Sequence, residues 1–412
     1  MGTDPPDSGA GPRLSTHQDT GAHAPARDSA GRAWDDPARA RQARAFGNTA
    51  RWWWVADLVI TAVGLAALIV SGAHATLRDA LDPAALGAPP RVAFAVHAAT
   101  ITAALALGGA SAGMPAAWFG GHRLLRAHGL GTQGARGWLR DYAIAAALGT
   151  CLAAGFAFVV AAACFTNPGQ WWLWATVVGA AGTFVVAFVA PALIMPLFYT
   201  ERPLPAGDVR DALVDLAVRA GTAIQSCVVI DQSRRSRAAN AAVVGMGRTR
   251  RIVVTDTLLA GGYDTREITA ILAHELGHHV RHDVPWAVAV EGTVLGACLF
   301  TAEMVRAAVA GPTGLGGPAD LAGLPVVALA AGACLVAITP VRSGISRWRE
   351  ARADAFGVRL TGDRAAWCAT LRRLAVQNLA EVDPHPVVEW ATYSHPSIRR
   401  RLRAVEDVAG RG

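Results

Sequence analysis

Six long apolar runs set the basic pattern of this chain. Each is about as long as the 20-residue helix that crosses the apolar core of a bilayer. The runs extend from Trp52 to Ser71, Val92 to Ala112, Tyr142 to Phe165, Trp171 to Leu197, Trp286 to Ala310 and Leu321 to Val341. Tryptophans at several of their ends are typical of the aromatic belts of membrane proteins. The pattern predicts a mainly α-helical, polytopic membrane protein with about six spans, and buried helices of a large water-soluble protein are the alternative.

The polar segments between these runs divide the chain into five parts. Residues 1–50 are rich in Pro, Gly, Asp and Arg and lack apolar periodicity, so we expect a disordered tail. Residues 51–198 hold four spans, and their connection from Gly113 to Asp141 is predicted to be a basic interfacial loop with solvated histidines. The remaining parts are a water-soluble insert (199–284), two further spans (285–341) and a C-terminal part (342–412).

The distribution of arginine predicts the orientation of the spans. The tail, the connection from Gly113 to Asp141, the insert and the C-terminal part are rich in arginine, whereas the intervening connections are poor in it. Positively charged residues are enriched on the cytoplasmic side of membrane helices. We therefore expect a multi-pass protein of the cell membrane with both termini, the insert and the C-terminal part in the cytoplasm.

Short-range patterns in the insert predict a small sheet and a helix. Asp208 to Gly221 places its apolar residues at helical spacing and ends at a glycine suited to a C-cap. Cys227 to Ile230 and Ile252 to Thr255 are short β-branched runs, and a glycine-containing turn follows the run from Asn240 to Val244. After the membrane part, Ser397 to Val405 is predicted to be a basic helix whose arginines, including Arg401, face lipid or solvent.

Composition agrees with a membrane protein. Apolar residues make up 52% of the 412 residues and charged residues 17%, so much of the chain must lie in a core or in lipid. All 38 basic residues are arginine. We expect the lipid bilayer as one partner and expect no nucleic-acid partner.

A metal-site motif lies at the end of the insert. His274 and His278 stand four residues apart, so on a helix both imidazoles lie on one face and can bind a single Zn²⁺. Glu275 would then stand beside the open metal position, where it can take a proton from a zinc-bound water and pass it to a leaving amine. Asp264 and Glu267 form a capping-box pattern ahead of the motif, which favours a helix here.

A third ligand is needed, and Glu350 is the candidate. Two histidines and one glutamate leave a position for water, which is typical of catalytic rather than structural zinc sites. Asp354, one helical turn later, is placed to orient a ligating imidazole. Alone, this glutamate and aspartate would be interpreted as a solvated, arginine-paired helix face.

Several segments in a fixed order resemble a known family, the Ste24-type CAAX prenyl proteases of the M48 zinc metallopeptidases. The resemblance covers nearly everything after Gly113. His279 departs from the family pattern, in which animal and yeast members have Trp, and this leaves the ligand set untouched. The matching segments are Pro191 to Pro205, Arg234 to Gly245, Arg250 to Leu259, the HELGH motif, Ser346 to Phe356 and Tyr393 to Pro396.

The resemblance implies a fold and further site residues. It implies about six membrane helices that enclose a chamber, with a cytoplasmic, gluzincin-like zinc protease domain that contains a small β-sheet. It also implies that Asn240 contacts substrate on an edge strand, where strand addition can hold a peptide extended. His395 would stabilise the developing oxyanion.

The expected function is that of an integral membrane zinc endopeptidase with one Zn²⁺ per chain and a protein or peptide substrate, including a membrane-associated one. Within the family, cleavage of prenylated CAAX proteins and quality control of membrane proteins are both open. A membrane transporter or a scaffold with a non-catalytic metal site is the alternative from another class. Two acids in the fifth span bear on this choice, because a carboxylate at membrane depth usually faces a cavity or a partner. Glu291 is either a chamber-wall residue or a neutral, hydrogen-bonded acid, and Glu303 is expected to pair with Arg306 or to snorkel.

Overall fold

The computed structural model describes residues 33–83 and 87–407 of the chain, and these residues are mostly helical. The helices of the membrane part and its connections are α1 (Pro37–Val70), α2 (Ala73–Ala80), α3 (Pro90–Ala117), α4 (Leu124–Ala127), α5 (Ala135–Cys164), α6 (Trp171–Val189) and α7 (Met195–Phe198). The helices that follow are α8 (Asp208–Arg219), α9 (Asp256–Ala260), α10 (Thr265–Val280), α11 (Asp283–Thr313), α12 (Leu324–Thr361), α13 (Arg364–Gln377), α14 (Pro386–Thr392) and α15 (Ile398–Asp407). Two π-helical turns, Trp118–Arg123 and Ala190–Ile194, continue α3 and α6.

Six helical segments of the described residues are long and apolar enough to cross a membrane, which confirms the predicted number of spans. They contain α1, α3, α5, α6, α11 and α12. The last of them differs from the prediction in its length. α12 runs without a break from the sixth span to Thr361, so the span and the segment that carries Glu350 form one helix.

The first helix begins earlier than the sequence analysis predicted. Residues 37–50, assigned to a disordered tail, belong to α1, whereas residues 1–32 of that tail lie outside the described part of the chain. Arg39 is buried and donates hydrogen bonds to the carbonyl oxygens of Ala375 and Ala380. These long-range contacts stabilise the start of α1 against the C-terminal part, and no local sequence pattern reveals them.

The predicted interfacial loop from Gly113 to Asp141 is also mostly helical. α3, the π-helical turn and α4 continue to Ala127, and only residues 128–134 lie between α4 and α5. His122, predicted to be solvated, is 6% exposed because the turn packs its ring against those of Trp118 and Trp138.

The insert folds as a four-stranded sheet that packs on two helices. The strands are β1 (Glu201–Pro203), β2 (Ser226–Ile230), β3 (Ala241–Val244) and β4 (Arg251–Thr255), in the order β1-β2-β4-β3. β2 and β4 are parallel, and the two outer pairs are antiparallel. The three strands and the helix predicted for this region are present, and β1 was not predicted. Leu213 and Leu216 of α8, Ile252 and Val254 of β4 and Leu272 of α10 form the buried centre of this unit.

α10 begins where its capping pattern predicts. The Asp264 carboxylate accepts a hydrogen bond from the Glu267 backbone N–H, and the Glu267 carboxylate accepts one from the Asp264 backbone N–H.

Glycines allow α10 and α12 to approach closely. A Cβ at Gly357 would lie 3.0 Å from the His274 backbone nitrogen, and one at Gly277 would lie 3.2 Å from Ala353 Cα. The small residues thus bring the backbone of α12 against the histidine-bearing turn of α10.

Both acids of the fifth span are ion-paired. Glu303 accepts hydrogen bonds from Arg306 and from the Trp171 indole, so the expected pairing is confirmed. Glu291 pairs with Arg342, with 2.7 Å between a carboxylate oxygen and a guanidinium nitrogen. This contact joins α11 to α12, and the chamber-wall role of Glu291 stays a prediction.

Candidate metal centre and active site

α10 presents two imidazoles on one face. Nε2 of His274 lies 3.3 Å from Nε2 of His278, and the two rings are nearly perpendicular. Both nitrogens carry lone pairs in the neutral imidazole when the proton is on Nδ1. The four-residue spacing on a helix therefore produces the pair of converging donors that the motif predicts.

α12 brings the Glu350 carboxylate to the same point. Its Oε2 lies 3.2 Å from His274 Nε2, and its Oε1 lies 3.4 Å from His278 Nε2. One ligand atom from each of the three residues can be chosen so that all lie within 4.8 Å of one another. Oε2 of Glu350 is buried and accepts no hydrogen bond from the described residues. A buried anionic oxygen facing two imidazole nitrogens fits a divalent cation, because a cation supplies the missing partner for all three.

Carboxylates stand behind both histidines. Oδ1 of Asp354 lies 2.7 Å from His274 Nδ1, and Oδ2 of Asp283 lies 2.6 Å from His278 Nδ1. Such partners keep the proton on Nδ1 and leave Nε2 free to bind a metal. The sequence analysis named Asp354 for this role, but it missed Asp283. Asp283 could have been predicted from its position five residues after His278, at the start of α11.

Arginines hold these outer carboxylates. Arg401 of α15 donates two hydrogen bonds, of 2.7 and 2.8 Å, to Asp354. Arg349 donates to the backbone oxygen of Asp283 and lies 3.4 Å from its carboxylate. The sequence analysis was wrong about Arg401, whose side chain is 12% exposed and does not face lipid or solvent. The guanidinium group lies over the Trp367 ring, with its carbon 5.6 Å from the ring centroid, and forms a bidentate pair with Asp354.

The surroundings of Glu275 and His274 shift the pKa values of both groups. Burial raises the pKa of the Glu275 carboxyl above its usual value, and charge on the neighbouring His274 and His278 acts in the opposite direction. Burial lowers the pKa of His274, but Asp354 and Glu350 outweigh it and raise this pKa to about 9 in the metal-free protein. Metal binding at His274 would therefore displace a proton.

His395 reaches the cluster from the C-terminal part. Its Nε2 lies 3.4 Å from Glu350 Oε1, and its side chain is 58% exposed. The Ser394 hydroxyl lies 2.9 Å from its Nδ1. His395 is exposed to solvent and lies next to Glu350, a candidate metal ligand, so its imidazole can approach a bound peptide.

Asn240 lies at the beginning of the edge strand β3 and is exposed. Among the described residues, its hydrogen-bond partners are Ala241 and Thr255. His279, the position that departs from the family pattern, links this strand to the metal helix, because its Nε2 donates to the Val243 carbonyl at 2.9 Å. β3 is thereby held against α10 with its outer edge unpaired in the described sheet.

Comparison with known proteins agrees with this geometry. Residues 203–409 match the model of peptidase family M48. Residues 40–200 match the model described as the CAAX prenyl protease N-terminal region with five membrane helices, although the described residues of this part contain four candidate spans. Together the two models cover both the membrane part and the metal cluster.

Individual relatives show how far the similarity extends. The chain is 29% identical over 297 residues to an uncharacterized metalloprotease, YhfN, of Bacillus subtilis, a match that covers 71% of this chain and 69% of that protein. It is 33% identical over 248 residues to CAAX prenyl protease 1 of Saccharomyces cerevisiae, covering 55% of this chain and 54% of the yeast protein. The match thus spans about half the length of the yeast enzyme.

A solved structure shares the fold. The crystal structure of S. mikatae Ste24p superposes with a TM-score of 0.76 at 21% sequence identity and covers 90% of this chain and 89% of that one. The membrane helices and the family matches make this a multi-pass membrane protein. From the match of residues 203–409, this chain belongs to peptidase family M48.

Proposed function

We propose that this protein is a zinc-dependent membrane endopeptidase with one zinc ion per chain. The observation that carries the proposal is the meeting of His274, His278 and Glu350, whose ligand atoms lie within 4.8 Å of one another. Two imidazoles and one carboxylate form the ligand set of catalytic zinc sites, in which a further position remains for water or substrate. Glu275 stands next to the first histidine, as general-base catalysis requires.

Glu275, His395 and the edge of β3 have separate roles in the proposed reaction. When bound, zinc polarises the scissile carbonyl and makes the attacking water more acidic. Glu275 accepts the proton from that water and delivers it to the leaving amine. His395 donates a hydrogen bond to the oxygen on which negative charge develops. The edge of β3, beginning at Asn240, holds the peptide backbone extended by strand addition.

The substrate class has two candidates. The yeast relative carries the name CAAX prenyl protease 1, which supports cleavage near the C-terminus of prenylated proteins. A Protease HtpX homolog of Acidiphilium cryptum is 28% identical over 282 residues, covering 63% of this chain and 95% of that protein. Quality control of membrane proteins is the second candidate. In both cases the arginine-rich connections support a cytoplasmic metal centre and cytoplasmic termini.

A Glu275→Gln variant tests the proposal. We expect it to bind zinc as the unchanged protein does and to lose about 10²- to 10⁴-fold in peptide cleavage, the usual contribution of a general base. Glu406→Gln, on the exposed face of α15, is the matched control and should cleave normally. If the Glu275→Gln variant cleaved peptides normally, Glu275 would not be the general base.

The same variant separates the alternatives. A transporter would move zinc across proteoliposome membranes equally well with Gln at position 275, whereas a protease would show no zinc flux in either form. Capture of protein chains on the inactive variant, followed by their identification, would distinguish prenylated substrates from membrane proteins undergoing degradation.

A further inference from the structure

A basic cavity lies at the ends of α3 and α5. Its volume is about 490 Å³, within the range of small-molecule sites in proteins. None of its lining residues belongs to the metal cluster described above. The lining residues are Trp118, His122, Arg123, Arg126, Ala127 and Ala135.

The cavity owes its shape to the π-helical turn Trp118–Arg123. Such turns are uncommon and are frequent at functional sites. Gly120 lets this turn pack directly on α1, since a Cβ there would lie 2.4 Å from Trp53 Cβ. The ring of His122 is directed inward and lies 4.5 Å from the Trp118 ring, centroid to centroid. An aromatic wall and a basic rim therefore stand side by side.

The charge of the cavity is positive. Arg123 and Arg126 contribute two guanidinium groups, and no lining residue is acidic. One nitrogen of Arg126 donates to the Gln133 backbone oxygen at 2.9 Å, which fixes the side chain without neutralising it. The nearby Asp141 is paired with Arg235 at 2.8 Å, so its charge is already balanced. The two guanidinium groups, of which that of Arg126 is held by this contact, match the oxygens of a phosphate.

The cavity lies where two candidate membrane spans meet the insert. The candidate span that contains α3 ends beside the cavity, and the candidate span α5 begins there. The short connection between them binds the insert, because the Thr132 N–H donates to the Arg235 carbonyl and the Arg237 N–H donates to the Leu130 carbonyl. Trp118 and Trp138 are in edge contact at this level, as aromatic residues at membrane interfaces often are.

We propose that this cavity binds the phosphate of an anionic phospholipid headgroup. The shared chemistry is that of a phosphate ester, and the position between span ends favours lipid over a free anion. The lipid would contact both the α3–α5 pair and, through the connection at 128–134, the protease insert. The proposal is independent of the peptidase assignment, because none of its residues takes part in metal binding or catalysis.

Binding can be measured on the purified, delipidated full-length protein by native mass spectrometry. The probes are short-chain phosphatidylglycerol, short-chain phosphatidylcholine and inorganic phosphate. We expect phosphatidylglycerol to bind about tenfold more tightly than phosphatidylcholine and phosphate to compete only weakly. The double variant Arg123→Gln/Arg126→Gln should lose about tenfold or more in affinity for phosphatidylglycerol.

Two further variants keep the test decisive. Arg123→Gln alone leaves the Arg126 contact with Gln133 intact, so it should weaken lipid binding without loss of thermal stability. Arg140→Gln removes an exposed charge of α5 that does not line the cavity, and it should leave the affinity unchanged. An equal loss in Arg140→Gln, equal binding of both lipids, or phosphate binding as tight as that of phosphatidylglycerol would overturn the proposal.

Discussion

Replacing Asp354 by Asn perturbs two interactions at once. The carboxylate lies 2.7 Å from His274 Nδ1 and receives two hydrogen bonds from Arg401. Loss of its charge weakens the orientation of a proposed metal ligand and leaves a buried guanidinium without its counter-charge. The two losses should be separable because they involve different partners.

The expected loss of zinc affinity differs in size from the expected loss of stability. Removing the partner of a proposed metal-binding histidine typically costs about 10- to 100-fold in metal affinity, or about 1.4 to 2.7 kcal/mol. Leaving one member of a buried ion pair alone typically costs about 3 to 5 kcal/mol of stability. Asp354→Asn should therefore lower both zinc affinity and the unfolding temperature of the metal-free protein. The double variant Asp354→Asn/Arg401→Met should regain stability, because no charge is left unpaired, and should keep the loss of zinc affinity.

The assay combines zinc titration against a competing chelator with thermal unfolding of the metal-free protein in detergent. Glu267→Gln is a matched control, because Glu267 lies on α10, is 8% exposed like Asp354 and pairs with Arg373 at 3.0 Å. It should lower stability and leave zinc affinity within about threefold. Full zinc affinity in Asp354→Asn, or full recovery of it in the double variant, would refute the reasoning.

Three other variants address other parts of the account. His395→Ala should lower kcat by about 10²- to 10³-fold with zinc content unchanged, and an unchanged kcat would exclude the oxyanion role. Asn240→Ala should raise KM more than it lowers kcat if its strand binds the peptide uniformly before and during reaction, and steady-state kinetics with an unchanged KM would contradict this. Gly357→Ala should destabilise the metal-free protein by about 1 to 3 kcal/mol, because its Cβ would lie 3.0 Å from the His274 nitrogen. Gly149→Ala, with open space at its Cβ, is the control and should not be destabilised in thermal unfolding.

Local sequence patterns predicted much of this fold because their causes are local. Six apolar runs of sufficient length gave the six spans, and the reciprocal hydrogen bonds of Asp264 and Glu267 start α10 as their spacing predicts. The four-residue spacing of His274 and His278 similarly determines that their imidazoles share a face. The need for a third ligand made Glu350, more than 70 residues later, a candidate, and the resemblance to a family supported that choice.

Contacts between distant segments were the part that the sequence could not predict. Arg401 belongs to a run of arginines that is typical of a solvated helix, and only the packing of α15 on α12 brings it to Asp354. The start of α1 is polar, and its helix is stabilised by the hydrogen bond from Arg39 to the distant Ala380 carbonyl. Asp283 was missed for the same reason, since its position next to His278 Nδ1 depends on the sharp turn between α10 and α11. His282, in this turn, has a positive φ of 53°, which redirects the chain.

The most direct test of the central claim is anomalous diffraction at the zinc absorption edge from crystals of the purified protein. The account predicts one strong peak per chain, about 2.0 to 2.2 Å from Nε2 of His274, Nε2 of His278 and a carboxylate oxygen of Glu350. A zinc-saturated protein with no peak at these three residues, or with a peak held by other residues, would contradict it.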